Sequence, residues 1–181
     1  VLPFASESLS AGVNNIALDN GIYTVVPNEY FAFNDDDIDY LISKYHSKVN
    51  KLDFKKWYGG YRYNDKEYYN PWSTLNFFSA GEKYLMYWGK TGTSNIISKI
   101  IEENESFYNK INDLFCGGAI KIYTDLVFSY KDIKDNDEAM LTFLYSAGYL
   151  SIYQQNDQEE VLLSSPNLET RKILKKQIIS R

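Results

Sequence analysis

A chain of 181 residues with 44% hydrophobic side chains is long enough to bury a core, and one ordinary domain or two small ones fit that length. Its 24 acidic and 19 basic residues leave a formal charge of -5, which argues against a surface built to neutralise nucleic-acid phosphates or anionic lipid. One cysteine, Cys116, and one histidine, His46, exclude an intramolecular disulfide and a Cys/His zinc site, and no apolar run reaches the length of a membrane span. The composition therefore points to a soluble protein in a reducing, cytoplasm-like compartment. Because the chain opens on Val1-Leu2-Pro3-Phe4 without an initiator methionine, it is expected to be a segment of something longer.

Residues 1–5 have the composition of a short strand. The turn that follows centres on Gly12, Asn14 and Asn15, whose side chains bond backbone groups locally. Asn14 and Asn15 are either part of a plain loop or a polar sensor at a strand end, where an amide orients water or phosphate. Short strands are expected near residues 16–18 and 22–26, broken by Asn20-Gly21. Asn34 then opens the plainest helix, with Asp37 three residues on and Asp35 and Asp36 at the positive end of its dipole. Ile38, Leu41, Ile42 and Tyr45 make its apolar stripe. The acids here, Asp39 included, are helix punctuation, since a calcium loop requires a glycine and a glutamate at positions that lack them. His46 near the end of that helix is a C-terminal cation or a surface residue.

A second helix, roughly 51–57, runs into Trp57-Tyr58-Gly59-Gly60-Tyr61-Arg62-Tyr63. Four aromatics, a double glycine and an arginine fall within seven residues. Glycine permits backbone angles other residues avoid, and aromatic rings supply rigid walls for a cation. Residues 61–63 and 67–69 are expected to pair as a hairpin around Asn64-Asp65-Lys66. Asn70-Pro71 opens the next helix, with Leu75, Phe77 and Phe78 available for burial. Two readings of the motif stand side by side. One is a small aromatic core stapled by turns; the other is an Arg62 that reaches an anion or stacks between the rings.

Gly89-Lys90-Thr91-Gly92 is not a phosphate loop, because Tyr84 stands where that motif needs its first glycine. Helices are expected over about 91–101 and over 105–116, the second stopped by Gly117-Gly118, with a strand at 119–123 and no assignment over 125–135. Asn136 or Asp137 caps a helix through Ala147, in which Ala139, Met140, Phe143, Leu144 and Ala147 share a face and Gly148 is the stop. Strands at 149–153 and 161–165 and a helix over 167–179 complete a helix, hairpin, helix outline of winged-helix type. A DNA-binding version would turn Arg171, Lys172, Lys175 and Lys176 toward phosphate. The alternative, a solvated basic face, agrees better with the acidic net charge.

Taken together the chain is expected to be a mainly helical α+β protein. Its segments resemble, in family order, the AAA-ATPase-like proteins that often carry a PD-(D/E)XK nuclease-like domain C-terminal to the ATPase. The resemblance rests on Val1 to Asn15, Phe31 to Asp37, Trp57 to Tyr63, Tyr69-Asn70-Pro71-Trp72-Ser73, Tyr87-Trp88 with Thr91-Gly92-Thr93, Leu144 to Leu150, and Ser165-Pro166-Asn167. It departs at Ala11, where the family often has serine, and at Tyr63, where it has phenylalanine.

The resemblance implies that residues 1–30 are the terminal strand and sensor-like loop of an ATPase core. It makes residues 31–115 a helical lid with a small β-hairpin and residues 116–181 a winged-helix-like subdomain. The phosphate loop and the acidic metal-binding strand would lie upstream, so ATP and Mg2+ belong to the parent protein and this chain carries no catalytic residue. Asn14 and Asn15 would be sensor residues, Arg62 a lid residue approaching the nucleotide phosphates, and a nuclease-like domain a downstream partner. The alternative implied is a degenerate ATPase-like scaffold, a protein-interaction module of the kind found in large effectors of intracellular bacteria and delivered to a host cell. The 17 tyrosines would suit such contacts.

Overall fold

In the computed structural model the described residues are 18–19, 23–24, 32–63, 66–90, 105–123, 136–155 and 160–179. The strand expected at 1–5, Asn14 and Asn15, the helix over 91–101 and the stretch 125–135 lie outside them. Near the start, β1 (Leu18–Asp19) and β2 (Tyr23–Thr24) pair antiparallel.

Helix α1 (Asp35–Lys44) is started by the cap its sequence announces. The Asn34 side chain accepts from the amides of Asp36 and Asp37, at 2.8 and 3.1 Å, and the Asp37 carboxylate accepts from the Asn34 amide at 2.9 Å. Asn50 caps α2 (Lys51–Tyr58) in the same manner. The hairpin of β3 (Tyr61–Tyr63) and β4 (Lys66–Tyr68) follows, with Arg62 opposite Glu67. Its second strand starts and ends one residue earlier than expected. Lys66 pairs with Tyr63 instead of turning, and Tyr69 leaves the hairpin to bridge Phe33, donating to its carbonyl at 2.8 Å.

Pro71 occupies the first turn of α3 (Pro71–Ser79), where its missing N–H costs nothing, and the Asn70 side chain accepts from the Ser73 amide at 3.2 Å. Phe77 and Phe78 are buried, but Leu75 is 45% exposed. The buried stripe is Ser73, Thr74, Phe77 and Phe78, which places Leu75 on the far side of the helix.

Two cores result. Ile38, Leu41, Phe54, Tyr58, Tyr69, Phe77 and Phe78 form the first. It is held by edge-to-face rings such as Phe54 on Phe77 at 5.0 Å, each such pair contributing about 1 kcal/mol beyond its buried area.

The second core is built by α4 (Glu105–Phe115), β5 (Ala119–Tyr123), α5 (Asp137–Ser146), β6 (Ser151–Gln155), β7 (Glu160–Ser164) and α6 (Leu168–Ile179). Its sheet is antiparallel with order β5-β7-β6, and central β7 turns Val161 and Leu163 inward. The α+β class read from the sequence holds. Helix α4 contributes Phe107, Ile111 and Leu114, which recur at helical spacing, to this second core together with Ile122 and Leu174. Trp88, at the start of a 3-10 turn (Trp88–Lys90), also enters it.

The double glycine joins the two cores. Gly60 has φ +84, and a Cβ on it would stand 2.0 Å from the carbonyl oxygen of Pro166, so no side chain fits. Beside it the Asn167 amide donates to the Gly59 carbonyl at 2.8 Å, and the Arg62 amide donates to the Ser151 hydroxyl at 3.0 Å. Gly60→Ala combines left-handed strain with a backbone clash. It is expected to lower stability by roughly 3 kcal/mol, about 10 °C in Tm for a domain of this size, by thermal melting. A Tm within 2 °C or so of the parent would contradict this account of the junction.

Candidate functional site

Successive strand residues point to opposite faces, and this separates the side chains of the aromatic motif. Tyr61 turns inward and is 1% exposed, its hydroxyl 3.4 Å from the Gly148 carbonyl and beside the side chains of Asn70 and Asn167. Arg62 turns outward. Tyr58 lies in the first core, its hydroxyl donating to the Leu85 carbonyl and accepting from the Leu85 amide, both at 3.1 Å. Burial pushes both hydroxyls well above the usual tyrosine range. Trp57 stacks on Tyr84 at 5.4 Å and carries the Lys172 ammonium over its ring at 4.2 Å.

Trp57, Tyr58 and Tyr61 therefore do not wall Arg62 as the sequence led one to expect. Its guanidinium lies 5.7 Å over the ring of Tyr153, on β6, and its Nη1 donates to the Tyr153 carbonyl at 3.0 Å. Asn70 and Pro71 serve the entry to α3.

Arg62 stands at an open pocket of about 620 Å³ between α2, the β3–β4 hairpin, the β5–β7–β6 sheet and the start of α6. Among the described residues Lys55, Lys56, Arg62 and Arg171 line it, against a single acid, Glu67. Glu67 is already engaged, by Lys55 Nζ at 2.9 Å and by the Gly60 amide at 3.0 Å. Lys56 pairs with Asp53 at 3.3 Å. Among the described residues neither Arg62 nor Arg171 pairs with a carboxylate.

Two arginines that the sequence assigned to different roles are thus brought to one cavity. The basic residues of α6 do not act as one face: Arg171 turns to the pocket and Lys172 to Trp57, while Lys175 and Lys176 are exposed. Asn14 and Asn15 lie outside the described residues.

A residue the sequence reading passed over is Glu169. It is buried in the second turn-forming position of α6, where its carboxylate accepts from the Ser73 hydroxyl at 2.7 Å and from the Trp88 amide at 2.9 Å. Removal from water pushes its pKa up to about 7, partly offset by those two hydrogen bonds and by the backbone of Tyr87. The available signal was its position four residues before Ile173, which places an acid on the apolar stripe of an amphipathic helix.

No family model matches the chain, and no solved structure matches it. Over 187 aligned residues the whole chain is 27% identical to an uncharacterized protein in the vnfD 5′ region of Azotobacter chroococcum mcd 1. The chain spans about a third of the length of that relative, 33%.

The raised pKa of Glu169 sets the sign of a pH effect. Its contribution to stability is fully present below the ordinary carboxylate pKa and is lost as pH rises toward and through about 7, where the buried group must ionise. Glu169→Gln removes that dependence. Urea melts at pH 5 and pH 8 are expected to show the parent chain losing, relative to the variant, on the order of 3 kcal/mol across the interval. Parallel stability profiles would refute it.

Proposed function

We propose that this chain is the C-terminal lid region of an AAA-like P-loop ATPase, and that Arg62 reaches the phosphates of a nucleotide held by the ATPase core of the parent protein. One observation carries the reading. Arg62 is exposed and free of carboxylate partners among the described residues, yet its backbone is clamped between the Ser151 hydroxyl and a glycine that admits no side chain. A cation on a rigid support is what electrostatic stabilisation of a transferring phosphoryl group asks for. This reading assigns Mg2+ and ATP to the core of the parent protein. The relative, of which the chain covers a third, is long enough for flanking domains of that kind.

The order α4, β5, α5, β6, β7, with β7 between β5 and β6, supports a winged-helix-like second half. The helix before its hairpin, α5, begins with Asp137 and Glu138 and buries Ala139, Met140, Leu141 and Leu144. That character favours protein packing over duplex DNA, and any nuclease activity falls to a separate downstream domain. In the full-length protein, Arg62→Ala is expected to lower kcat for ATP hydrolysis on the order of 10²-fold while leaving the melting temperature nearly unchanged. Unaltered hydrolysis and nucleotide affinity would instead favour the degenerate scaffold.

A further inference from the structure

We infer that the pocket between the two cores is an anion site in its own right, which takes a small phosphate-bearing ligand between Arg62 and Arg171. Charge is the first argument. In a chain of net charge -5, four cationic side chains converge on one cavity, and its single acid among the described residues is occupied by Lys55 and a backbone amide. After Lys56 is matched to Asp53, the two guanidinium groups remain without a counter-ion among the described residues.

The second argument is an unmet hydrogen bond. Arg171 Nε is shielded from solvent and has no hydrogen-bond partner among the described residues. A buried donor left in this state is costly, and no protein group among the described residues offsets it. The third is placement. Gly117, whose φ of +90 suits glycine, and the Arg171 guanidinium both line the cavity, and a Cβ on Gly117 would stand at ordinary contact distance, 3.4 Å, from Arg171 Nη1.

Arginine presents a planar fork of donors that matches phosphate oxygens in pairs, and two forks facing one space suit a ligand with more than one negative charge. The volume, about 620 Å³, lies within the range of small-ligand sites. Pyrophosphate alone and the diphosphate of a nucleotide share this chemistry. This inference differs from the lid reading in needing Arg171 and in needing no upstream core.

The test is titration of the full chain with pyrophosphate, and in parallel with ADP, at low salt without divalent cations, followed by calorimetry and by amide NMR shifts at Gly60, Gly117 and Arg171. Saturable binding is expected, weakened roughly tenfold to a hundredfold by Arg171→Gln and by Arg62→Gln, and left intact by Lys175→Gln on the exposed side of the same helix. If ADP binds more tightly than pyrophosphate, the source is a nucleotide; equal affinities point to a free polyphosphate. Should Arg171→Gln perturb the fold, the exposed Arg62→Gln decides. Absence of binding up to about 10 mM, or affinity unchanged in both arginine variants, would overturn the site. Pyrophosphate binding that persists while Arg62→Ala leaves ATP hydrolysis in the parent protein untouched would uphold the site and defeat the lid reading. The converse pair of results would do the opposite.

Discussion

A carboxylate held away from water organises the meeting of the two halves. Glu169 has one oxygen on a hydroxyl from α3 and the other on an amide at the start of the 3-10 turn, while its own backbone belongs to α6. Burying a charge is expensive unless its lone pairs are satisfied, and replacing either partner would leave an uncompensated acid inside the protein. The arrangement therefore specifies one relative placement of three elements. Around it Asn167, Thr170 and Ser165 satisfy one another, with the Asn167 side chain accepting from the Thr170 amide at 3.0 Å and capping α6.

The double glycine extends this polar seam outward. Gly59 offers its carbonyl to Asn167, Gly60 lies against the backbone of Pro166, and the hairpin that follows is thereby pinned to β6. Alternation along β3 then does the sorting: Tyr61 closes the seam and Arg62 is left on its outer side. The basic pocket is a by-product of this docking, since Lys55 and Arg62 come from the first half and Arg171 from the second.

Much of the local architecture was legible in the residues. Asn34 with Asp37, Asn70 with Pro71, Asn136 before Asp137, and Gly148 after Ala147 mark helix ends through local hydrogen bonding and backbone geometry, and all stand at the ends they announce. Arg62 could be singled out because an arginine among rings and glycines is locally unusual. Its true companions could not, because Tyr153 and Arg171 lie about 90 and 110 residues away in the chain and no local pattern encodes that distance.

By itself, then, the sequence determined the types and ends of most elements, the apolar stripes, and the mainly helical α+β class, all of which follow from propensity, capping and periodicity within a few residues. Tertiary structure alone decided that α4 joins the second core, that Leu75 faces outward, that Trp57 pairs with Lys172 rather than Arg62, and that Arg62 and Arg171 share one cavity. The physical reason is common to these cases. Each depends on which surfaces meet when two cores dock, and that outcome is set by long-range burial and by the satisfaction of buried polar groups, Glu169 first among them.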